Sequence, residues 1–282
     1  MFNDHSKASI AQIIFYIPVI FVSAYHGYDR HKRPRMSWLI ILFFSLIRVA
    51  AGILVILFEH KPRTDIMVAS IILLNTGVFP LIAATLGLIR IILAHEKEVV
   101  TPRINRCLMF SRMLFFVGLG LQIAGGCLEG SDSASDVATG VKLVKAGYSI
   151  VVVFEACLLL VQAYFWMHLP DLSYMSYTIL KAMALALPFL VVRITYLFLS
   201  VFHATDLRWN DLAGPIAPFV LMGLLMEYAV VWIYLGTGFL IPGWREMKGD
   251  RVVSMTRYPL VEQYYGTVGT VATVASVVRS RT

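Results

Sequence analysis

The sequence predicts an all-α membrane protein, a bundle of seven transmembrane helices. Three observations carry that expectation. Of the 282 residues, 59% are hydrophobic and 15% charged, and the mean hydropathy is +0.76, which lies outside the range of soluble domains. Apolar runs recur along most of the chain, each with the roughly 20 residues needed to cross a hydrocarbon core of about 30 Å. The ten-residue alternating segments that a membrane barrel requires are missing from the sequence.

The first span is expected over residues 9–26, in SIAQIIFYIPVIFVSAYHGY. It has neither a basic leader nor a convincing cleavage site, so it reads as a retained helix rather than a signal peptide. The second and third follow over 37–58 and 66–93, and Gly77 and Pro80 in ILLNTGVFP mark a kink within the third. The remaining four are placed at 107–128, 142–168, 177–202 and 213–241. Short connections make consecutive helices antiparallel neighbours in one transmembrane domain, residues 1–242. Beyond it, 243–282 is rich in Gly, Thr, Ser and Val with scattered arginines, the composition of a basic, largely disordered cytosolic tail.

A net charge of +7 would suit nucleic acid if it were gathered on one face, but the basic residues fall between the apolar runs. Orientation accounts for them better, and no nucleic-acid partner is expected. Arg30, Lys32, Arg33 and Arg35 lie in the first loop, Lys97, Arg103 and Arg106 in the third, and six more in the tail. These thirteen oppose four on the other side, Lys7, Lys61, Arg63 and Arg208. The rule that positive loops stay inside puts the C-terminus in the cytosol and the N-terminus in the lumen or outside. Cys107, Cys127 and Cys157 have no paired spacing and read as packing residues.

Four charges fall deep within the spans: Arg48 in FFSLIRVAAG, Glu155 in VVVFEACLLL, Arg193 in FLVVRITYLF and Glu227 in LLMEYAVVWIYLG. An arginine at a helix centre costs about 2.5–3.5 kcal/mol on insertion scales, so each needs a partner in the bundle interior. Arg193 and Glu227 are the expected couple, because they lie at similar depth on consecutive helices. Asn75 lies beside the Gly77 and Pro80 kink, where backbone carbonyls are freed to line a cavity. Gln122 and Gln162 read as interhelical glue, and Arg90, Lys181 and Glu59 as interfacial residues with long stems. Tyr228 and Trp232 are four apart and share a helical face; with Tyr196 they are candidates for an aromatic cavity wall that favours a cation. Trp38, Trp166 and Trp244 belong to the interfacial aromatic belt.

Several chemistries are excluded. The seventh helix has no lysine for a retinal Schiff base, and His26, His168 and His203 stand at helix ends rather than where haem ligands are needed. There is no aspartate-rich magnesium motif, P-loop, GxGxxG, HExxH or GxSxG. No metal and no cofactor are expected. Receptors, transporters and enzymes that work with protein carboxylates alone remain.

The segments SLIRVAAG, NTGVFPLIAATLGLIR, LPFLVVRITYLF and MEYAVVWIYLGTG resemble those of a family of fungal seven-pass membrane proteins, over nearly the whole chain before the tail. In its buried acids the sequence is also similar to the small membrane-bound terpene cyclases of fungal meroterpenoid pathways. That resemblance implies an isomerase- or lyase-type enzyme of secondary metabolism in the endoplasmic reticulum membrane. It would take a prenylated, lipid-like substrate from among the membrane lipids and protonate its epoxide or alkene. No catalytic residue is carried over by the resemblance; the candidates come from depth and chemistry.

Burial favours the neutral form of a carboxylic acid and a neighbouring arginine favours the ionised form, so two buried acids can divide the work. Glu227 or Glu155 is the candidate acid, Arg48 and Arg193 set charge, Asn75 orients the substrate, and Tyr196, Tyr228 and Trp232 wall the cavity. If Arg193 pairs directly with Glu227, Glu155 becomes the better donor. The alternative is a fungal receptor-like or lipid-transport protein, although the sequence after the third helix, IRIILAHEKE, and that of the seventh, YLGTGFLIPG, lack the motifs of the large animal receptors.

Overall fold

The structure is a computed structural model and describes residues 4–28, 36–96, 102–203 and 214–241. Its helices are α1 Asp4–Tyr28, α2 Met36–His60, α3 Thr64–Thr76, α4 Val78–His95, α5 Pro102–Glu129, α6 Ala134–Met167, α7 Tyr174–Phe202 and α8 Ile216–Leu240. Together α3 and α4 make one span, Thr64–His95, so among the described residues seven helices are long and apolar enough to cross a membrane. No strand occurs among them. The chain is an all-helical, multi-pass integral membrane protein. The expected tail 243–282, Trp244 and the first-loop basic residues lie outside the described residues.

Hydropathy located the spans to within a few residues, with one larger difference. Helix α6 begins at Ala134, eight residues ahead of the expected 142. The stretch GSDSASD, residues 130–136, is divided between a short turn and the first turn of α6, where Asp136 sits. An acid there meets the positive end of the helix dipole, so polar composition and helical structure agree at that point.

Helix α4 occupies the centre. Every residue from Val78 to Ile89 is buried, and the helix packs against α2, α5, α6 and α7. A helix that is apolar all round has to be covered all round. Around it α1 lies on α2, α5 on α6 and α7 on α8, the pairings that short connections impose. Phe21, Phe43, Phe116, Leu160 and Leu240 are exposed on outer faces, a surface suited to hydrocarbon. Several hydroxyls inside the spans bond back to their own helix: Ser45 donates to the carbonyl of Ile41 at 2.8 Å, and Thr195 to that of Val191 at 2.8 Å.

Small residues set the closest helix pair. Gly118 and Gly125 of α5 face Gly147 and Gly140 of α6; a Cβ on Gly140 would stand 2.7 Å from the carbonyl oxygen of Gly125, and one on Gly147 3.1 Å from that of Gly118. In lipid, where apolar burial between helices gains little, such backbone approach is a principal source of attraction. Gln122 lies in this seam, but its Oε1 has no hydrogen-bond partner. Its expected role as interhelical glue is therefore corrected for that oxygen: the glycines hold the pair.

The third span is interrupted where the sequence marks it. At Gly77 the dihedrals stay helical, φ −57° and ψ −26°, but the regular hydrogen bonding stops. Pro80 has no N–H to give to the carbonyl four residues back, and it is tolerated because it falls in the first turn of α4. The aromatic belt is only partly as expected. Trp166 is partly exposed, whereas Trp38 is fully buried, its ring 5.3 Å from that of His26 and tight against Gly238. A glycine on α8 opens an inward space for the indole, and tertiary packing overrides the interfacial preference.

Candidate functional site

Five spans converge on Glu227. Its carboxylate is fully buried, as are Arg48 and Arg193. Arg193 donates through Nε to Oε1 at 2.7 Å, and Arg48 donates through Nη2 to the same oxygen. The Tyr16 hydroxyl on α1 donates to Oε2 at 3.4 Å. The pairing of Arg193 with Glu227 agrees with the expectation from consecutive helices. Arg48 joins them from α2, so one acid fastens three spans.

The break in the third span serves this cluster. Arg48 Nη1 donates to the carbonyl of Leu74 at 3.0 Å, one of the oxygens at the interrupted end of α3. Gly77 provides the room: a Cβ there would lie 2.7 Å from Arg48 Cζ. From α1, Gln12 donates through Nε2 to the carbonyl of Arg48 at 2.6 Å. The guanidinium carbons lie 5.6 Å from the rings of Phe44, for Arg48, and Tyr196, for Arg193, within cation–π range. Ahead of Glu227, α8 is wound as a π-helix over Phe219–Leu224, a distortion that recurs at functional sites.

Polar atoms are left over. Among the described residues, Arg48 Nε, Asn75 Oδ1 and the Tyr228 hydroxyl are buried with no hydrogen-bond partner. Such groups are costly in an apolar interior. Tyr228 stacks on Phe15 with ring centroids 3.8 Å apart and meets Tyr16 edge-on at 5.6 Å. Tyr196 and Tyr228 thus border the arginine cluster. Trp232 does not: it is 66% exposed, and its proposed place in the cavity wall is corrected. At 3.6 residues per turn the fifth residue after Glu227 points about 140° away from it, toward the outer face.

Glu155 is elsewhere. It sits on α6, a helix that supplies nothing to the cluster around Glu227, and is 4% exposed. Neither carboxyl oxygen has a hydrogen-bond partner, and no ion pair to it occurs among the described residues. Its neighbour Phe154 is buried with its ring 5.7 Å from that of Phe115, which lies 6.0 Å from Phe79. Tyr234 of α8 is within electrostatic reach and shares a hydrogen bond of 2.5 Å with Thr85 of α4. The four charges read as one set from the sequence are therefore two environments, a bonded cluster of three and a buried acid with no ion pair among the described residues.

Gln12, Tyr16 and the Leu74 carbonyl were not foreseen. The first two had a signal, a polar pair four apart in an otherwise oily run, which places both on one face of α1. For the carbonyl, the Gly77 and Pro80 kink signalled that some oxygen would be freed, but not which one or for which partner. Cys107, Cys127 and Cys157 are free thiols, and no group of three His, Cys, Asp or Glu suited to a metal ion occurs among the described residues.

No curated protein matches the chain, and no solved structure matches it either. Residues 2–242, which include all seven spans, match the family model described as a domain of unknown function, DUF7702, and the chain belongs to that family.

Proposed function

We propose that the protein is an integral-membrane terpene cyclase in which Glu155 is the general acid. The observation that carries this reading is the Glu155 carboxyl group, sealed from the surface and, among the described residues, without a cation or hydrogen-bond donor on either oxygen; the preceding residue, Phe154, packs against Phe115. An acid that spends its proton on an epoxide or alkene has to be free of guanidinium partners, and Glu227 is not. Glu227 with Arg48 and Arg193 positions helices and holds fixed charge in the bundle.

In this mechanism Glu155 gives its proton to the epoxide oxygen of a prenylated substrate as the C–O bond breaks. The π electrons of the neighbouring alkene close a C–C bond onto the electron-poor carbon. The final cation loses a proton, so the product is an isomer of the substrate. Aromatic faces stabilise the travelling positive charge, and a dry site keeps water from capturing it. The reading carries with it a place in meroterpenoid biosynthesis, residence in the endoplasmic reticulum, and the lumenal N-terminus and cytosolic C-terminus that the loop charges favour.

The test is expression in a fungal host that makes farnesylated aromatic epoxides. A cyclised isomer is expected with the native chain and its loss with Glu155→Gln, which keeps the shape and removes the acid. Undiminished product from that variant removes Glu155 from the chemistry, and absence of any isomer from the native chain sinks the cyclase reading. One observation favours a second reading, receptor-like or lipid-transporting. The discontinuous third span presents a backbone carbonyl to a buried ion cluster, an arrangement transporters use at midplane sites.

A further inference from the structure

A groove of about 790 Å³ runs along α2, both halves of the third span, and α5. Its walls include Phe43, Leu46, Leu73, Pro80 and Phe116; of these, Phe43, Leu46 and Phe116 belong to the exposed outer surface. The opening therefore faces sideways, toward lipid. Two arginines interrupt this apolar lining, Arg90 on α4 and Arg112 on α5.

Helix packing gives their relative depth. A Cβ on Gly118 would meet Phe79, and one on Gly126 would meet Ile72, which fixes the antiparallel register of α5 against the third span. In that register Arg112 stands opposite the turn around Thr85, about 7 Å along the axis from Arg90 at 1.5 Å per residue. From there to Leu73 the lining continues for about 18 Å on the same measure, with Thr76 its one hydroxyl.

Neither arginine is in an ion pair among the described residues. Arg90 donates only to the sulfur of Met36, at 3.3 Å, a weak acceptor. Arg112 lies well inside α5, on its exposed face, where an unpaired guanidinium is costly and a marker of function.

We propose that this groove is a binding site for one anionic phospholipid of the bilayer, an acyl chain along the apolar wall and the phosphate between Arg90 and Arg112. Planar guanidinium donors match phosphate oxygens, and two of them spaced along one groove can each engage one non-bridging oxygen of the same phosphate. The lateral opening selects a bilayer lipid as occupant over a water-borne phosphate. This inference stands independently of the cyclase reading.

The test is native mass spectrometry and fluorescent-lipid competition on the full chain in neutral detergent, with phosphatidylglycerol against phosphatidylcholine of identical chains. One retained phosphatidylglycerol is expected, with at least tenfold preference over phosphatidylcholine. The preference should be lost in R90Q/R112Q and kept in R90K/R112K, which preserves charge and controls for folding. Glycerol phosphate at the same concentrations should not compete. Equal retention of both lipids, undiminished preference in R90Q/R112Q, or full competition by glycerol phosphate would each overturn the proposal.

Discussion

Glu227 and Glu155 each interrupt an apolar helix and each is sealed from the surface, yet their surroundings share nothing. Two guanidiniums and a phenol converge on Glu227, while among the described residues Glu155 has neither a donor nor a cation on its oxygens. Removing the first strands two buried cations on two other helices. Removing the second strands nothing. The contrast separates a carboxylate that ties helices together from one that holds no neighbouring charge among the described residues, a distinction that burial alone does not make.

The largest effect expected from this contrast is in stability. Glu227→Ala should cost about 3–5 kcal/mol, the usual penalty for breaking a buried pair from one side, and be read as a lowered melting temperature in detergent or failure to accumulate. Glu155→Leu, a change of similar volume, should cost less than about 1.5 kcal/mol or stabilise. If the two variants melt alike, Glu155 has a structural partner and the comparison collapses.

An intermediate effect is expected at the break in the third span. Gly77→Ala drives a methyl into Arg48 and should destabilise by about 1–3 kcal/mol, the range for overpacking. Gly120→Ala is its control. Nothing lies within 4 Å of a Cβ there, and replacing a helical glycine should be neutral or gain about 0.5–1 kcal/mol. Equal melting of the two variants would mean that Arg48 does not depend on the space at Gly77.

The smallest effect sharpens the account of Glu227. Its bond from Tyr16 is long, at 3.4 Å, so Tyr16→Phe should cost only about 0.5 kcal/mol, the lower end for a hydrogen bond. A loss of several kcal/mol would make Tyr16, rather than the arginines, the main support of the carboxylate.

Much of this was legible beforehand. Gly77 and Pro80 announced the interruption of the third span, and the order of the helices announced Arg193 with Glu227. Arg48 was named beforehand as a charge-setting residue, but its pairing with Glu227 was not legible, since α2 is far from α8 in sequence and the guanidinium lies in the space left at Gly77. Trp232 was misread for a related reason. Four residues share a helical face only to within about 40°, and Tyr228 already stands at the edge of the buried side. Trp38 was assigned to the interface by residue type, but a glycine across the bundle made room for it inside.

What the sequence determined by itself was the number, length and approximate limits of the spans. Hydrocarbon offers backbone groups no partner, so each crossing has to satisfy its own hydrogen bonds as a helix, and that requirement is local to each segment. Which glutamate received Arg48 was decided only in three dimensions. Helices apolar on nearly every side carry little record of which face turns inward, and the rotation of each was settled by glycine contacts and buried ions on its neighbours.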